Sequence, residues 1–170
     1  MFAMHYFLKD AETLGRVWEF VRGVVEVGGV FMFTTFDGAR VVKYLNVERK
    51  VGVGESASLF KDGKAVFSIK RLYRETALIE LGQEIDVWVE TLGGEHKEYL
   101  PNLAYLIKYF VGGVGGGVGG GFELVERKAF EEWHKDWLGE ATRKKEGLVM
   151  SDAEKTFSFL SANVVLKRVN

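Results

Sequence analysis

The stretch Val111-Gly112-Gly113-Val114-Gly115-Gly116-Gly117-Val118-Gly119-Gly120-Gly121-Phe122 governs how the rest of the chain is read. Eight of its twelve residues are glycine, out of 21 in a chain of 170. Glycine has no Cβ, so it tolerates positive φ and lets a second backbone or a phosphate come close, at a high entropic cost of ordering. Upstream, Leu103, Leu106, Ile107 and Phe110 fall at i, i+3, i+4 and i+7, which predicts a helix over Leu100–Phe110 with Pro101 in its first turn. Downstream, Phe122-Glu123-Leu124-Val125-Glu126 predicts a strand. Three readings of the run stand. It is a packed helix-to-strand connection, a cradle of backbone N–H groups for phosphate, or part of a membrane helix over Leu103–Phe122. The last has one charge, Lys108, and a Gly112/Gly116/Gly120 spacing, but so many glycines depress helix propensity. The dinucleotide pattern Gly115-x-Gly117-x-x-Gly120 is set aside, because it needs strand–loop–helix order and the order here is helix–loop–strand.

Composition bounds the rest. The length fits one domain, or one domain with an appendage, and 47% hydrophobic residues supply ample core. With no cysteine, disulfides, zinc–thiolate sites and thiol nucleophiles are excluded. The absence of cysteine suits a cytoplasmic protein, and a chain with a single glutamine and many Lys and Glu leans thermophilic. No signal peptide is expected, since Met1–Leu8 lacks a basic start. The net charge of −1 argues against a general nucleic-acid binder, but the charge is uneven. From Arg40 to Arg74 nine basic residues face three acids, a local +6.

Along the chain, Phe2–Leu8 predicts a central strand with apolar residues on both faces. Asp10 caps a helix carrying Leu14, Val17, Trp18, Val21 and Val25, which Gly28-Gly29 ends. Val30–Phe36 is a second strand, and Asp37-Gly38 predicts a hairpin returning along Arg40–Val47. Ser58–Phe60 and Ala65–Ile69 flank a second turn, Lys61-Asp62-Gly63-Lys64, and Thr76–Leu81 and Ile85–Thr91 read as further strands. Glu95–Leu100 reads as an exposed loop. Ala129–Thr142 reads as an amphipathic helix, Ser151-Asp152-Ala153-Glu154 opens a short one, and Asn163–Val169 is a final strand.

Without the region from 37 to 81, the order is strand–helix–strand twice. That predicts an α+β, ferredoxin-like βαβ-βαβ core over residues 1–127, a β-hairpin insertion at about 37–81, and a helical C-terminal extension with a final strand over 128–170. The segments Leu103-Ala104-Tyr105-Leu106-Ile107-Lys108-Tyr109-Phe110, Gly112-Gly113-Val114-Gly115 and Gly120-Gly121-Phe122-Glu123-Leu124-Val125 resemble the repeat-associated (RAMP) superfamily of CRISPR effector proteins. The resemblance covers about residues 100–126. It implies a non-catalytic RNA-binding subunit in antiviral defence, without metal or cofactor. A guide-like single-stranded RNA and other protein subunits would be its partners, with no membrane. The resemblance assigns RNA backbone contacts to Gly112, Gly113, Gly115, Gly116, Gly117, Gly119, Gly120 and Gly121. Charge would come from the insertion, through Lys43, Arg49, Lys50, Lys61, Lys64, Lys70, Arg71 and Arg74. The loop departs from the family in having only Val between its glycines. A protein-interaction module with no nucleic-acid role is the alternative.

Side-chain chemistry is otherwise sparse. His5 reads as a core residue, His96 as a loop residue and His134 as a helix-surface residue; their spacing suggests no metal site. Glu84, Asp86 and Glu90 read as a solvated strand face, and Trp133 with Trp137 as core. Tyr44, Phe60, Phe67 and Tyr73 interleave with the basic segment, the mixture a single-stranded nucleic acid would meet.

Overall fold

The computed structural model describes residues 4–112, 120–137 and 149–170. Among the described residues, two antiparallel sheets and five α-helices make an α+β fold. One sheet has three strands in the order β1 (Val30–Phe36), β7 (Ser161–Arg168), β6 (Phe122–Ala129); the other runs β2 (Ser56–Lys61), β3 (Lys64–Arg71), β4 (Glu84–Val89), β5 (Glu95–Tyr99). This arrangement departs from the expected single sheet of two βαβ halves. Val30–Phe36 and Phe122–Ala129 both pair with the final strand, while Glu84–Val89 belongs to the other sheet. The two ends of the chain therefore share one sheet, with β7 as its middle strand.

The three-stranded sheet buries one face against α1 (Ala11–Val24) and α3 (Leu103–Gly112). Asp10 caps α1 as expected, accepting from the Thr13 N–H at 2.8 Å. Leu14, Val17, Trp18 and Val21 then meet Phe31, Phe33, Val164 and Leu166 of the strands and Leu103, Leu106 and Phe110 of α3. A second core joins α2 (Gly38–Val42) to the inner face of the four-stranded sheet through Val41, Leu45, Ile69, Ile85 and Val87. Helix α4 (Phe130–Trp137) and α5 (Asp152–Ser158) follow β6 and precede β7. Ser151 and Glu154 close a capping box on α5.

Several local expectations need correction. Phe2–Leu8 contributes no strand among its described residues; Met4–Phe7 is a turn of 3₁₀ helix that sets Met4 and Leu8 fully inside the core. A run apolar at every position carries no period to separate the two. Asp37-Gly38 opens α2 instead of a hairpin. Asp37 accepts from the Ala39 N–H at 3.1 Å, and Lys43–Glu48 continues as π-helix. An Asp before a turn residue serves equally as a helix cap. Thr76–Leu81 forms no strand. The lone glutamine, Gln83, takes its place as organiser, accepting from Ile79 N–H and donating to Ala77 carbonyl, both at 3.1 Å. Glu95–Tyr99, expected as a loop, is strand β5.

Of the glycine run, residues 113–119 lie outside the described residues, as do 138–148 of the expected C-terminal helix. Gly112 ends α3. Gly120 donates its N–H to Tyr109 carbonyl at 2.8 Å and accepts from the Trp18 indole at 2.9 Å. Gly121 sits at φ +91°, and a Cβ there would meet Asn170 Oδ1 at 2.7 Å. These two glycines serve packing of the chain on itself. Among the described residues, no helix is long and apolar enough to cross a membrane.

Candidate functional site

Elements of the three-stranded and four-stranded sheets part around a cavity of about 590 Å³, within the range of small-ligand pockets. Strand β1 contributes Thr34, Thr35 and Phe36, and β7 begins beside it at Ser161, which pairs with Phe36. The opposite wall is the inner face of the four-stranded sheet. A row Ala57–Ile69–Val87–His96 crosses that face, and in the next row Glu98 pairs with Ile85. Strand alternation thus turns His96 and Glu98 inward while Glu95, Lys97 and Tyr99 take the other face. The 3₁₀ turn brings His5 and Tyr6 to the rim, and Phe130 and Phe157 complete an aromatic and apolar lining.

The second layer is tied down by charge. Asp37, at the end of β1, is buried and pairs with Arg127 at 2.9 Å. Arg40 of α2 donates to the Phe159 carbonyl at 3.1 Å and to Glu131 at 3.2 Å, and the Asp37 N–H reaches Leu160 carbonyl at 2.7 Å. These bonds join the ends of β1, α2, α4 and α5 around the pocket. Phe157 is held between Phe67, stacked at 4.3 Å and 10°, and Phe36, edge-on at 5.5 Å.

Glu98 is the chemical centre. Burial pushes its carboxyl up to about 7, against 4.5 for an ordinary glutamate. The nearby His5 imidazole is held down to about 4, also by burial. The 3.7 Å approach of His5 Nε2 to Glu98 Oε1 is within ion-pair range, but burial drives both groups towards neutrality. We therefore read it as a neutral imidazole beside a carboxyl near its titration point. Four buried side-chain polar atoms among the described residues have no hydrogen-bond partner. Three of them, His5 Nε2, Thr35 Oγ1 and His96 Nε2, belong to residues that line this cavity. Buried polar groups are rarely left unpaired, so this concentration makes the cavity the candidate site for a polar ligand.

No protein-family model matches the chain. The chain is similar to mRNA-capping enzymes of African swine fever virus. Those of isolates Tick/South Africa/Pretoriuskop Pr4/1996 and Warthog/Namibia/Wart80/1980 are 31% identical over 168 residues, and that of isolate Pig/Kenya/KEN-50/1950 is 32% identical. The match takes in 97% of this chain but 18% of each relative, so the chain spans about a fifth of their length.

This similarity overturns the expectation of a non-catalytic relative of CRISPR effector proteins: the relatives are named mRNA-capping enzymes. Of the basic residues singled out in the sequence, several are engaged within the chain. Lys43 pairs with Glu48, Lys61 with Glu154 and Lys70 with Glu95. Arg49 donates to Tyr44 Oη, and Arg71 donates to the carbonyls of Val51, Tyr73, Arg74 and Glu75. Lys50, Lys64 and Arg74 are exposed. The interleaved aromatics Tyr44 and Tyr73 are core residues, Phe67 stacks on Phe157, and Phe60 alone of the four is largely exposed. No group of three or more His, Asp or Glu among the described residues is placed to hold a metal.

The sequence reading missed the pocket. His5 was expected as a satisfied core histidine and His96 as a loop residue. Both instead face the cavity, with Glu98 between them in function. The available signal was the period-2 series His96, Glu98, Leu100, in which Leu100 is fully buried.

Proposed function

We propose that this chain is the cap-recognising portion of an mRNA-capping enzyme and that the cavity around Glu98 receives the guanine base of the capped RNA 5′ end. The cap is a guanosine in 5′–5′ triphosphate linkage, so a site for it must separate guanine from the other bases. Guanine presents N1–H and N2–H as adjacent donors, and an ionised carboxylate offers two acceptor oxygens in matching geometry. Adenine places an acceptor, N1, where guanine has a donor. The aromatic lining from Tyr6, Phe36, Phe130 and Phe157 suits a planar base. The neutral His5 ring, the His96 ring and the Thr35 hydroxyl are positioned to meet the remaining polar atoms of the base or its ribose.

One observation carries the reading: three orphaned polar atoms and a desolvated carboxyl converge in a single, otherwise apolar slot. Its test is calorimetric titration at pH 8 with a guanosine 5′–5′ triphosphate dinucleotide and with its adenosine counterpart. The expected preference for guanosine is at least about tenfold, the worth of one bidentate contact. Equal affinities, or no saturable binding of either, would refute the proposal.

A further inference from the structure

We infer that strand β1 is an interior strand of a larger sheet, and that its free edge receives a parallel β-strand from a companion α/β domain of the capping enzyme. The four edges of the two sheets differ in kind. Edge strand β6 carries Glu123, Glu126, Arg127 and Lys128 and is bulged between Leu124 and Glu126. Strand β2 is bulged between Leu59 and Phe60 and ends in Lys61, and β5 reads Glu-His-Lys-Glu-Tyr. Charges and bulges are the ordinary protection of an edge against unwanted pairing. Strand β1, Val30-Phe31-Met32-Phe33-Thr34-Thr35-Phe36, has neither charge nor proline nor bulge. Its only strand neighbour among the described residues is β7, on one side.

The covering of β1 fits an interior strand as well. Phe31 and Phe33 are buried on the core face, but Val30 and Met32 on the other face are 58% and 61% exposed. Helix α1 packs over β1 through the shared core and feeds it through a short link at Val25–Gly29. A helix placed so is the second half of a βαβ crossover, whose first strand lies parallel to the one it feeds. Strand β7 is antiparallel, so it does not fill that role, and the free edge of β1 is the vacant position. The outward residues Phe20 and Val24 of α1, and Val27 after it, are also more than half exposed.

The occupant follows from the relatives. In them the matched stretch is 18% of the protein, so four-fifths of a capping enzyme remains to supply the companion strand. The edge itself is independent of the capping reading, which supplies only the partner's identity.

The test co-expresses this chain with the swine fever virus capping enzyme from which the matched residues have been deleted, and follows the complex by analytical ultracentrifugation and hydrogen exchange. Expected are a one-to-one complex and slowed exchange at the β1 amides turned away from β7. Met32→Lys should weaken the complex by about tenfold or more, while Phe60→Lys, at an exposed aromatic elsewhere, should not. Guanosine dinucleotide binding by Met32→Lys should be unchanged, which keeps a failure here distinct from a failure of the pocket reading. No complex, a complex indifferent to Met32→Lys, or a chain that dimerises through β1 on its own would overturn the inference.

Discussion

Guanine and adenine should respond to pH in opposite directions, because they need opposite states of Glu98. With the free carboxyl at about 7, its ionised fraction falls from about nine-tenths at pH 8 to about one-hundredth at pH 5. Guanine binds the ionised form, so its affinity should fall roughly a hundredfold across that range. Adenine, whose N1 accepts, is better served by the protonated carboxyl and should bind more tightly as the pH falls. The other titratable side chains lining the pocket are His5, His96 and Tyr6. His5, held to about 4, stays neutral over the whole range, and a His96→Asn control removes the second imidazole. Glu98→Gln should flatten the guanosine profile. At pH 8 it should cost about tenfold to a hundredfold, the worth of hydrogen bonds to a charged group. Calorimetry at five pH values between 5 and 8 makes the measurement. A guanosine affinity that stays constant over this range, or a slope that survives in Glu98→Gln, would refute the assignment.

The same substitution should stabilise the fold at alkaline pH. A carboxyl raised from 4.5 to about 7 on folding favours the native state below 4.5, and that contribution is lost as pH rises through 7. At pH 8 the burial of the ionised form costs roughly 3 kcal/mol, which Glu98→Gln removes; urea unfolding should show the gain at pH 8 and none at pH 4. His5 acts with the opposite sign: lowered to about 4, it contributes stability above 6.5 that disappears as pH falls to 4, so His5→Gln should flatten the acid limb. Arg127→Ala would leave the buried Asp37 carboxylate without its partner. Because Arg127 itself is 40% exposed at the side chain, the expected loss is about 2 kcal/mol, below that of a fully buried pair. Gln83→Ala removes two hydrogen bonds that hold the 77–83 segment, and should cost about 2 kcal/mol in denaturant titration.

Elements with a strong period or cap were legible in the chain. Helix α1 shows its Leu14/Val17/Trp18/Val21 face and Asp10 cap, β1 and β7 show their runs of branched and aromatic residues, and Ser151 shows its box. The α+β class followed from these. The sheet order did not, because the strand pairs β1·β7 and β6·β7 are fixed by packing between distant segments rather than by any local signal. Asp37-Gly38 misled because the same two residues open a turn or a helix, and Arg127, 90 residues away, helps anchor the capping carboxylate there. The pocket was hidden for a related reason. Its groups come from residues 5–6, 34–36, 87–98, 130 and 157–161, so no spacing in the sequence brings them together. Strand β5 reads Glu-His-Lys-Glu-Tyr, with no apolar alternation to announce an inward face. The glycine run, prominent in the sequence, contributes at its described end the packing contacts of Gly120 and Gly121.

The central claim is that Glu98 faces a guanine base, and carbon-detected NMR titration of its carboxyl tests that directly. In the free chain the midpoint should lie near 7. With saturating guanosine 5′–5′ triphosphate dinucleotide it should drop by about two units or more, as a hundredfold preference for the ionised form requires. A midpoint that does not move on saturation, or that moves upward, would contradict the account.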